Sequence, residues 1–300
     1  MIKKNLKMIS VSQFAERFGL SERTVRNYCK EGKLHGAVLV GKVWSIPDDA
    51  MPPRKGKAKQ TSPLLKALRE EKKARLKGGI YHRTQIDMTY NSNHIEGSKL
   101  THEMTRMIFE THTLGVEAGQ TINVDDILET VNHFRCMDYI IDHAEERLSG
   151  PMIKLLHRML KTGTSDAQKE WFRVGEYKLL ANEVGDISTS DPKDVGKDMQ
   201  ELLHDYWNIK EVTVEDIIAF HHRFECIHPF QDGNGRVGRL IMFKECLGHG
   251  IVPFIITDDL RLFYYRGLRE WNHIKGYLLD TCLTAQDYYK DMMDYFKIKY

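Results

Sequence analysis

Residues 228 to 239 read His-Pro-Phe-Gln-Asp-Gly-Asn-Gly-Arg-Val-Gly-Arg, and the rest of the chain is best interpreted from this stretch outward. Residues 214–226 before it have the apolar spacing of a helix. Pro229 cannot continue that helix, and the residue before a proline is pushed out of the helical region, so His228 should lie on a loop just past the helix end. A loop histidine with a near-neutral pKa is a suitable general base for a hydroxyl group. A His-Pro pair alone is more often a plain helix end.

The rest of the stretch has residue types that suit a nucleotide's phosphates. Phe230 would anchor the loop to the core, and Asp232 is the kind of single carboxylate that holds Mg²⁺ together with phosphates and water. Residues 233–235 lead into a new helix, whose first N–H groups can bind an anion. Arg236 and Arg239 lie three apart on that helix and can reach the same anion. Each feature has an ordinary structural explanation, but their joint occurrence favours a phosphate site.

The stretch also matches, at every fixed position, the signature His-Pro-Phe-x-(Asp/Glu)-Gly-Asn-Gly-Arg-x-x-Arg of the Fic family. The resemblance extends over most of residues 80 to 280. It implies a helical core with a β-hairpin flap, and transfer of AMP from ATP to a Ser, Thr or Tyr hydroxyl of a target protein. It further implies that His228 deprotonates the hydroxyl and that Asp232 holds Mg²⁺.

The same resemblance implies the nucleotide contacts. Asn234, with the backbone at Gly233 and Gly235, would hold the α- and β-phosphates beside Phe230, while Arg236 and Arg239 would grip the β- and γ-phosphates. One subgroup of the family has Lys in place of Gly235 and phosphorylates its targets, so glycine here favours AMP transfer without excluding UMP or GMP. The stretch 261–268 resembles the lining of the adenine pocket, where Tyr264 or Tyr265 could stack on the base.

The hairpin flap is expected at Tyr177–Ile187, where two short apolar segments flank polar turn residues. By resemblance it would dock the target backbone by strand addition through Lys178, Leu179 and Leu180. Family members often carry Gly-x-Tyr-Arg at the flap entry, whereas this chain has Lys178 in place of the arginine. Any contact assigned to that arginine is therefore open.

Residues 92–97 read Ser-Asn-His-Ile-Glu-Gly and would close a helix that begins near Thr84. Ser92 and Glu96 are four apart on one face, and Gly97 is a natural C-terminal cap. This pattern is loose and could be an incidental helix end. Upstream of a Fic signature, however, it resembles the family's inhibitory helix, which would place Glu96 on Arg239 and keep the γ-phosphate away. The same glutamate could instead position a water for the reverse, de-AMPylating reaction.

The N-terminal region has a different character. Residues 1–60 carry 13 Lys and Arg against 5 Asp and Glu, and the remainder carries 31 against 37. Helical spacing at Val11–Phe18, a stop at Gly19 and an N-cap at Ser21 before Glu22–Glu31 predict two short helices. Ala37–Ile46 predicts two strands folded at Gly41-Lys42. The order resembles the winged helix-turn-helix domains of the MerR and excisionase kind, which would bring Arg23, Arg26 and Asn27 to DNA; a solvated or protein-binding head is the alternative.

The chain therefore divides into a winged head (1–50), a basic Pro/Gly linker (51–63) and a mainly α body (64–300). Helices are predicted in the body at Leu64–Arg75, Thr84–Glu96, Thr101–Thr111, Val124–Leu148, Met152–Lys161, Val195–Trp207, Val214–Cys226 and Gly235–Leu247. Five scattered cysteines, and no apolar run long enough for a signal peptide or a membrane span, favour a cytoplasmic protein.

Three functions are compatible with the sequence. The leading hypothesis is a self-inhibited adenylyltransferase with ATP, Mg²⁺, a target protein and DNA as partners; a homodimer would suit a palindromic DNA site. The second is a de-AMPylating phosphodiesterase. The third is a transcriptional regulator whose body senses nucleotide.

Overall fold

The structure is a computed structural model that describes residues 8–53, 61–116, 119–184 and 187–300. The described residues form two compact units, one of residues 8–53 with 146–155 and one of residues 61–145 with 156–300. Most of the predicted linker, residues 54–60, lies outside the described residues. No helix of the structure combines the length and the apolar character that a membrane span needs.

The first unit contains a small sheet and two short helices. Its elements in chain order are β1 (Met8–Ser10), α1 (Val11–Arg17), α2 (Glu22–Lys30), β2 (Val38–Val40) and β3 (Val43–Pro47). The strands are antiparallel in the order β1-β3-β2, with Ile9 opposite Ile46 and Leu39 opposite Trp44. Both helices and the hairpin lie close to their predicted positions, while β1 was not predicted.

Local sequence explains these helix ends. The Ser21 hydroxyl accepts the N–H of Thr24 at 3.1 Å and so caps α2. Gly19, at φ +60°, permits the left-handed turn between the helices. Phe14, Val25 and Ile46 are completely buried and form the centre of this unit's core.

The second unit is mainly helical, as predicted. Its helices are α3 (Pro63–Ala74), α4 (Ile80–Ile95), α5 (His102–Thr111), α6 (Val124–Asp142), α7 (Gly150–Lys161, whose first residues belong to the other unit), α8 (Val195–Trp207), α9 (Val214–Ile227), α10 (Asn234–His249), α11 (Arg261–Glu270) and α12 (Gly276–Tyr295). Helix α10 packs against α9, α6 and α4. The signature loop, which joins α9 to α10, therefore opens at the centre of the helical core.

Two predicted helix boundaries were wrong. Helix α4 begins at Ile80 rather than Thr84, and α6 ends at Asp142 rather than Leu148. Ala144 and Leu148 keep an apolar spacing and are completely buried, but the chain between them is a turn and a short non-helical stretch. Apolar spacing alone could not separate that arrangement from one more helical turn.

The predicted hairpin is displaced along the chain. Its strands are β4 (Glu183–Val184) and β5 (Ile187–Ser188), with residues 185–186 outside the described part. Residues 177–182, predicted as the first strand and the turn, pair with the signature loop instead. The Lys178 N–H donates to the Pro229 carbonyl at 2.8 Å, and the Leu180 N–H donates to Gln231 Oε1 at 3.2 Å. These bonds replace the ones a partner strand would supply.

Candidate functional site

The loop between α9 and α10 is held by its own residues. His228 caps α9 in the left-handed conformation, at φ 49°. Phe230 is completely buried and its ring stacks on His157 with centroids 4.0 Å apart. The Asn234 side chain accepts the N–H of Phe230 and donates to the Phe230 carbonyl, both at 2.8 Å. The side-chain amide that the resemblance assigned to phosphate binding is thus engaged in closing the loop.

The start of α10 can receive an anion. Gly233 occupies its N-cap position at φ +80°, a conformation that favours glycine, and no side chain caps the first turn. The helix therefore presents unpaired N–H groups and the positive end of its dipole beside the loop. His228 lies at the other end of the same loop, so a phosphate held at α10 is brought near a proton acceptor.

Burial lowers the pKa of His228 to about 4, and the positive charge of Lys178 adds to this effect. The pKa of His228 is therefore lower than the near-neutral value expected from the sequence. The cause is burial, because only 18% of its side chain is exposed. The imidazole is neutral at pH 7 and can accept a proton, although as a weaker base than free histidine.

Asp232 belongs to a charge network that the sequence analysis did not identify. Lys161 is 2% exposed, and its Nζ lies 2.5 Å from Glu129, 3.0 Å from Asp166 and 2.7 Å from Asp232. Arg236 pairs with Glu129 and, at 3.1 Å, with Asp232. These partners are far apart in sequence, so no local pattern indicates the network. In addition, a lysine at the end of an apolar helix is usually solvated, so Lys161 alone gives no signal.

A polar cavity of about 230 Å³ opens on this network. Its lining includes Glu96, Glu129, Lys161, Asp232 and Arg236. The Asp232 side chain is 46% exposed, and both cations contact its Oδ2 atom. The lysine and arginine also keep the pKa of this carboxyl well below its usual range against the effect of burial. An ionised, accessible carboxylate of this kind fits Mg²⁺ that arrives with phosphates. No cluster of three His, Cys, Asp or Glu residues suited to a metal occurs in the described ranges.

Arg239 is bound by the end of α4. Its Nε donates to Ser92 Oγ at 3.0 Å, and its NH2 group donates to the Ser92 carbonyl at 2.8 Å and to Glu96 Oε1 at 2.7 Å. Arg239 is 3% exposed, while the Glu96 side chain is 26% exposed. Helix α4 ends at Ile95 with Glu96 as its C-cap, and the φ of +97° at Gly97 then turns the chain away. The Arg239 guanidinium, which the resemblance assigned to the γ-phosphate, is therefore paired with the Glu96 carboxylate.

Gly235 lies directly under this ion pair. A Cβ atom at this position would stand 2.2 Å from Glu96 Oε1 and 3.0 Å from an Arg239 guanidinium nitrogen. No side chain can therefore be added here while Glu96 stays in place, because the nearest contact is far inside van der Waals distance.

The remaining predicted residues lie in several places. Lys178 is 3% exposed and its ammonium donates to Asn182, Thr189 and the Ile227 carbonyl. Leu179 and Leu180 are exposed. Tyr265 is partly exposed and donates to the Ile95 carbonyl, whereas Tyr264 is buried. Arg23, Arg26 and Asn27 are exposed on α2 in the first unit.

Comparison with known proteins identifies the domain around this loop. Residues 147–246, which include this loop, match the model of the Fic/DOC family. Protein adenylyltransferase Fic of Nematostella vectensis is 30% identical over 193 residues, which make up 61% of this chain and 42% of that protein. The chain thus spans less than half the length of this relative.

Two solved structures share the fold. A Fic domain containing signaling protein from Bacteroides thetaiotaomicron superposes with a TM-score of 0.61 at 22% identity, over 77% of this chain and 94% of that one. Fic-1 from C. elegans superposes with a TM-score of 0.59 at 18% identity, over 78% and 72%. The mainly helical second unit therefore has a Fic-like fold.

Proposed function

We propose that this chain is a protein adenylyltransferase that transfers AMP from ATP to a hydroxyl group of a target protein. The observation that carries the proposal is one loop with the uncapped, positive end of α10 at one end and the neutral imidazole of His228 at the other. Homology to proteins named protein adenylyltransferase supports the same chemistry.

In the proposed reaction His228 accepts the proton of the target hydroxyl. The hydroxyl oxygen then forms a bond to the α-phosphorus of ATP, the bond from that phosphorus to the bridging oxygen breaks, and pyrophosphate leaves. The α10 N-terminus and Arg236 offset the negative charge of the phosphates. Asp232 is the residue that would hold Mg²⁺, which supplies further charge neutralisation when bound. Tyr265 would line the nucleotide side, whereas the completely buried ring of Phe230 would support the loop from beneath.

We further propose that Glu96 inhibits this reaction in cis. Its carboxylate occupies Arg239, the cation that would otherwise bind the γ-phosphate, so ATP would bind without the alignment needed for attack. A hydrogen bond between charged groups contributes roughly 1.5–3 kcal/mol, and about 1.4 kcal/mol corresponds to a tenfold change in rate. Repression by one to two orders of magnitude is therefore physically reasonable.

The test is transfer of label from ATP labelled on its α-phosphate, with Mg²⁺, by wild type, Glu96→Gly and Glu96→Gly/His228→Ala. We expect weak self-labelling by wild type, strong labelling by Glu96→Gly and none by the double variant. Binding of ATP to Glu96→Gly without any labelling, with or without a proteome extract as acceptor, would contradict the transferase proposal.

A specific observation favours de-AMPylation as the second candidate. Glu96 lines the same cavity as Asp232, so its carboxylate could position a water molecule against an AMP-modified protein. In that case Glu96→Gly would lose hydrolysis of an AMP-modified substrate, whereas the leading proposal predicts that the same substitution increases transfer.

The exposed residues of α2 support a DNA-binding role for the first unit, as a winged helix-turn-helix. Arg23 and Asn27 would contact base edges, and Arg26 would first have to leave Glu22, which lies 2.5 Å away. Gel-shift titrations at several salt concentrations, with an Arg23→Ala variant, test this role, and sizing chromatography tests the accompanying homodimer. DNA binding without transfer by Glu96→Gly would favour the nucleotide-sensing regulator.

The five free cysteines support a cytoplasmic location.

A further inference from the structure

Glu225 places a carboxyl group between two histidines on the inner side of α9. Its Oε1 lies 3.8 Å from His221 Nδ1, and its Oε2 lies 4.0 Å from His228 Nδ1. Only 14% of the Glu225 side chain is exposed, and the His221 side chain is completely buried. The carboxyl therefore lies near Nδ1 of His228. In the proposed function, this imidazole accepts the proton of the target hydroxyl.

Three polar atoms at this point have no hydrogen-bond partner among the described residues. They are Glu225 Oε1, His221 Nδ1 and His228 Nδ1. Buried polar atoms are normally paired, because leaving one unpaired costs about 1–3 kcal/mol. The Glu225 carboxyl lies within 4.0 Å of both imidazole Nδ1 atoms, so a small rotation of its side chain would bring it into hydrogen-bond distance of one of them.

The backbone of α10 leaves space for this cluster. A Cβ atom at Gly238 would stand 2.6 Å from Glu225 Oε1 and 2.7 Å from His221 Cε1. The glycine thus allows both side chains to pack against α10. Any larger residue at this position would displace the Glu225 carboxyl or the His221 ring.

The cluster also extends to the residues that hold Glu96. His221 Nε2 lies 2.6 Å from the Tyr264 hydroxyl, and the Arg239 guanidinium lies 5.9 Å from the centre of the Tyr264 ring. Arg239 in turn contacts Glu96. A continuous set of buried polar side chains therefore connects the proposed inhibitory glutamate with the proposed base.

We propose that Glu225 is a positioning residue for His228, whose carboxylate accepts the Nδ1–H of the imidazole and leaves Nε2 unprotonated to receive the hydroxyl proton. The inference rests on the proposed function, because the tautomer of His228 matters only if this residue accepts the hydroxyl proton. In neutral imidazole one nitrogen carries the proton, and the hydrogen bond at that nitrogen selects the tautomer. A carboxylate at Nδ1 also stabilises the imidazolium that forms when Nε2 takes the proton.

The charge on Glu225 depends on Glu96. The pKa of Glu225 is raised to about 8, mainly by burial and secondly by the negative charge of Glu96, while the positive charge of Arg239 opposes both. With Glu96 on Arg239, the Glu225 carboxyl is therefore mainly protonated at pH 7 and offers an O–H to Nδ1, which favours the wrong tautomer. Departure of Glu96 removes one negative charge and favours the carboxylate. The same glutamate would thus act on the base as well as on Arg239.

Other charged groups face this pair and enter its titration. Lys178 and Asp232 act on His228 in opposite directions, and the Glu225 backbone carbonyl also raises the His228 pKa. That carbonyl is the competing acceptor for Nδ1–H. The backbone carbonyl stays in place in any side-chain variant. Substitution of Glu225 therefore removes the carboxyl acceptor alone and shows what it contributes.

The experiment compares Glu225→Met and Glu225→Gln in the Glu96→Gly background, with Glu215→Gln, an exposed carboxylate of the same helix, as the matched control. Methionine keeps the length without an acceptor, whereas glutamine keeps a neutral acceptor. We expect Glu225→Met to lower kcat about tenfold with an unchanged Kd for ATP, Glu225→Gln to recover part of the loss, and Glu215→Gln to have no effect. Nitrogen-15 spectra of the His228 ring should show loss of the Nδ1–H tautomer in Glu225→Met.

A second measurement covers the case of a variant that does not fold. Carbon-13 spectra of the glutamate carboxyls should show one group titrating near pH 8 in wild type, with a lower midpoint in Glu96→Gly. An unchanged His228 tautomer and an unchanged kcat in folded Glu225→Met, or a Glu225 midpoint that Glu96→Gly does not lower, would overturn the proposal. The spectra report on Glu225 even when no transfer is seen, so failure of the proposed function is recognised separately.

Discussion

The Glu96 carboxylate and the Arg239 guanidinium lie 2.7 Å apart, although the two residues are separated by most of the helical core in sequence. Glu96 is the C-cap of helix α4 and Arg239 lies on helix α10, so the ion pair joins two helices that pack against each other. Ser92, one turn earlier on α4, holds the same guanidinium through its hydroxyl and its carbonyl. Arg239 is therefore fixed by two residues of one helix.

Ser92→Ala should weaken the proposed inhibition less than Glu96→Gly does. The substitution removes the hydroxyl that accepts from Arg239 Nε but leaves the backbone carbonyl and Glu96 in place. A hydrogen bond to a charged group contributes roughly 1.5–3 kcal/mol, but the two remaining contacts keep most of the guanidinium in place, so self-labelling should rise only a few-fold. The measurement is the initial labelling rate beside Ser10→Ala, a helix-cap variant of the first unit. A rate at or above that of Glu96→Gly would contradict this ranking.

Gly235→Ala should disturb the ion pair by steric displacement, because a Cβ atom would stand 2.2 Å from Glu96 Oε1. We expect faster labelling than wild type and no gain in the Glu96→Gly background. The control is Gly196→Ala, since that glycine lies in a helix with nothing within 4 Å of a Cβ atom. Equal losses of rate in both backgrounds would mean that Gly235 serves ATP binding and not the accommodation of Glu96.

Lys161→Met should destabilise the fold and weaken binding of ATP with Mg²⁺. Removing this buried ammonium leaves Glu129, Asp166 and Asp232 with too little positive charge, and breaking a buried ion pair costs about 3–5 kcal/mol. Urea denaturation gives the stability change, and titration calorimetry with ATP and Mg²⁺ gives the affinity. The control Lys197→Met removes a lysine with 75% of its side chain exposed and should change neither stability nor affinity. A stability loss of less than about 1 kcal/mol for Lys161→Met would show that the network contributes little to folding.

Transfer by Glu96→Gly/Glu225→Gln, in which residue 225 no longer titrates, should stay nearly constant as the pH falls from 7 to about 5.5. The pKa of His228 is lowered to about 4, so the imidazole stays neutral well below the pKa of about 6.5 of an unperturbed histidine. Activity should fall only as the pH approaches 4, where the base becomes protonated. The check is kcat/KM against pH, which reports the free enzyme. An acid limb centred near 6.5 would contradict the effect of burial on this residue.

Short-range features of the fold could be predicted because they depend on neighbouring residues. Ser21 caps α2, Pro229 ends α9 and Gly233 starts α10 through backbone preferences that act within a few residues. The displaced hairpin shows the limit. Lys178 and Leu180 bond to the signature loop, and nothing within residues 177–187 indicates such a distant partner.

The charged part of the site shows the same limit more strongly. His228, Asp232, Arg236 and Arg239 could be selected as a group because they share one short stretch. Lys161 and Glu129 complete their network from other helices, and Glu225 is one acidic residue among many until the helix turns it toward His228. Their significance depends on burial and on contacts between distant segments, which a single sequence does not display.

The close approach of Gly235 and Glu96 constrains how this protein can evolve. A mutation that introduces any side chain at 235 must displace the Glu96 carboxylate in the same step, so under the proposed inhibition a change in nucleotide handling at that position carries a change in control with it. Conversely, a lineage that loses Glu96 becomes free to test larger residues there. The proposed restraint and the reaction type would then be inherited as one trait, because a single small volume serves both.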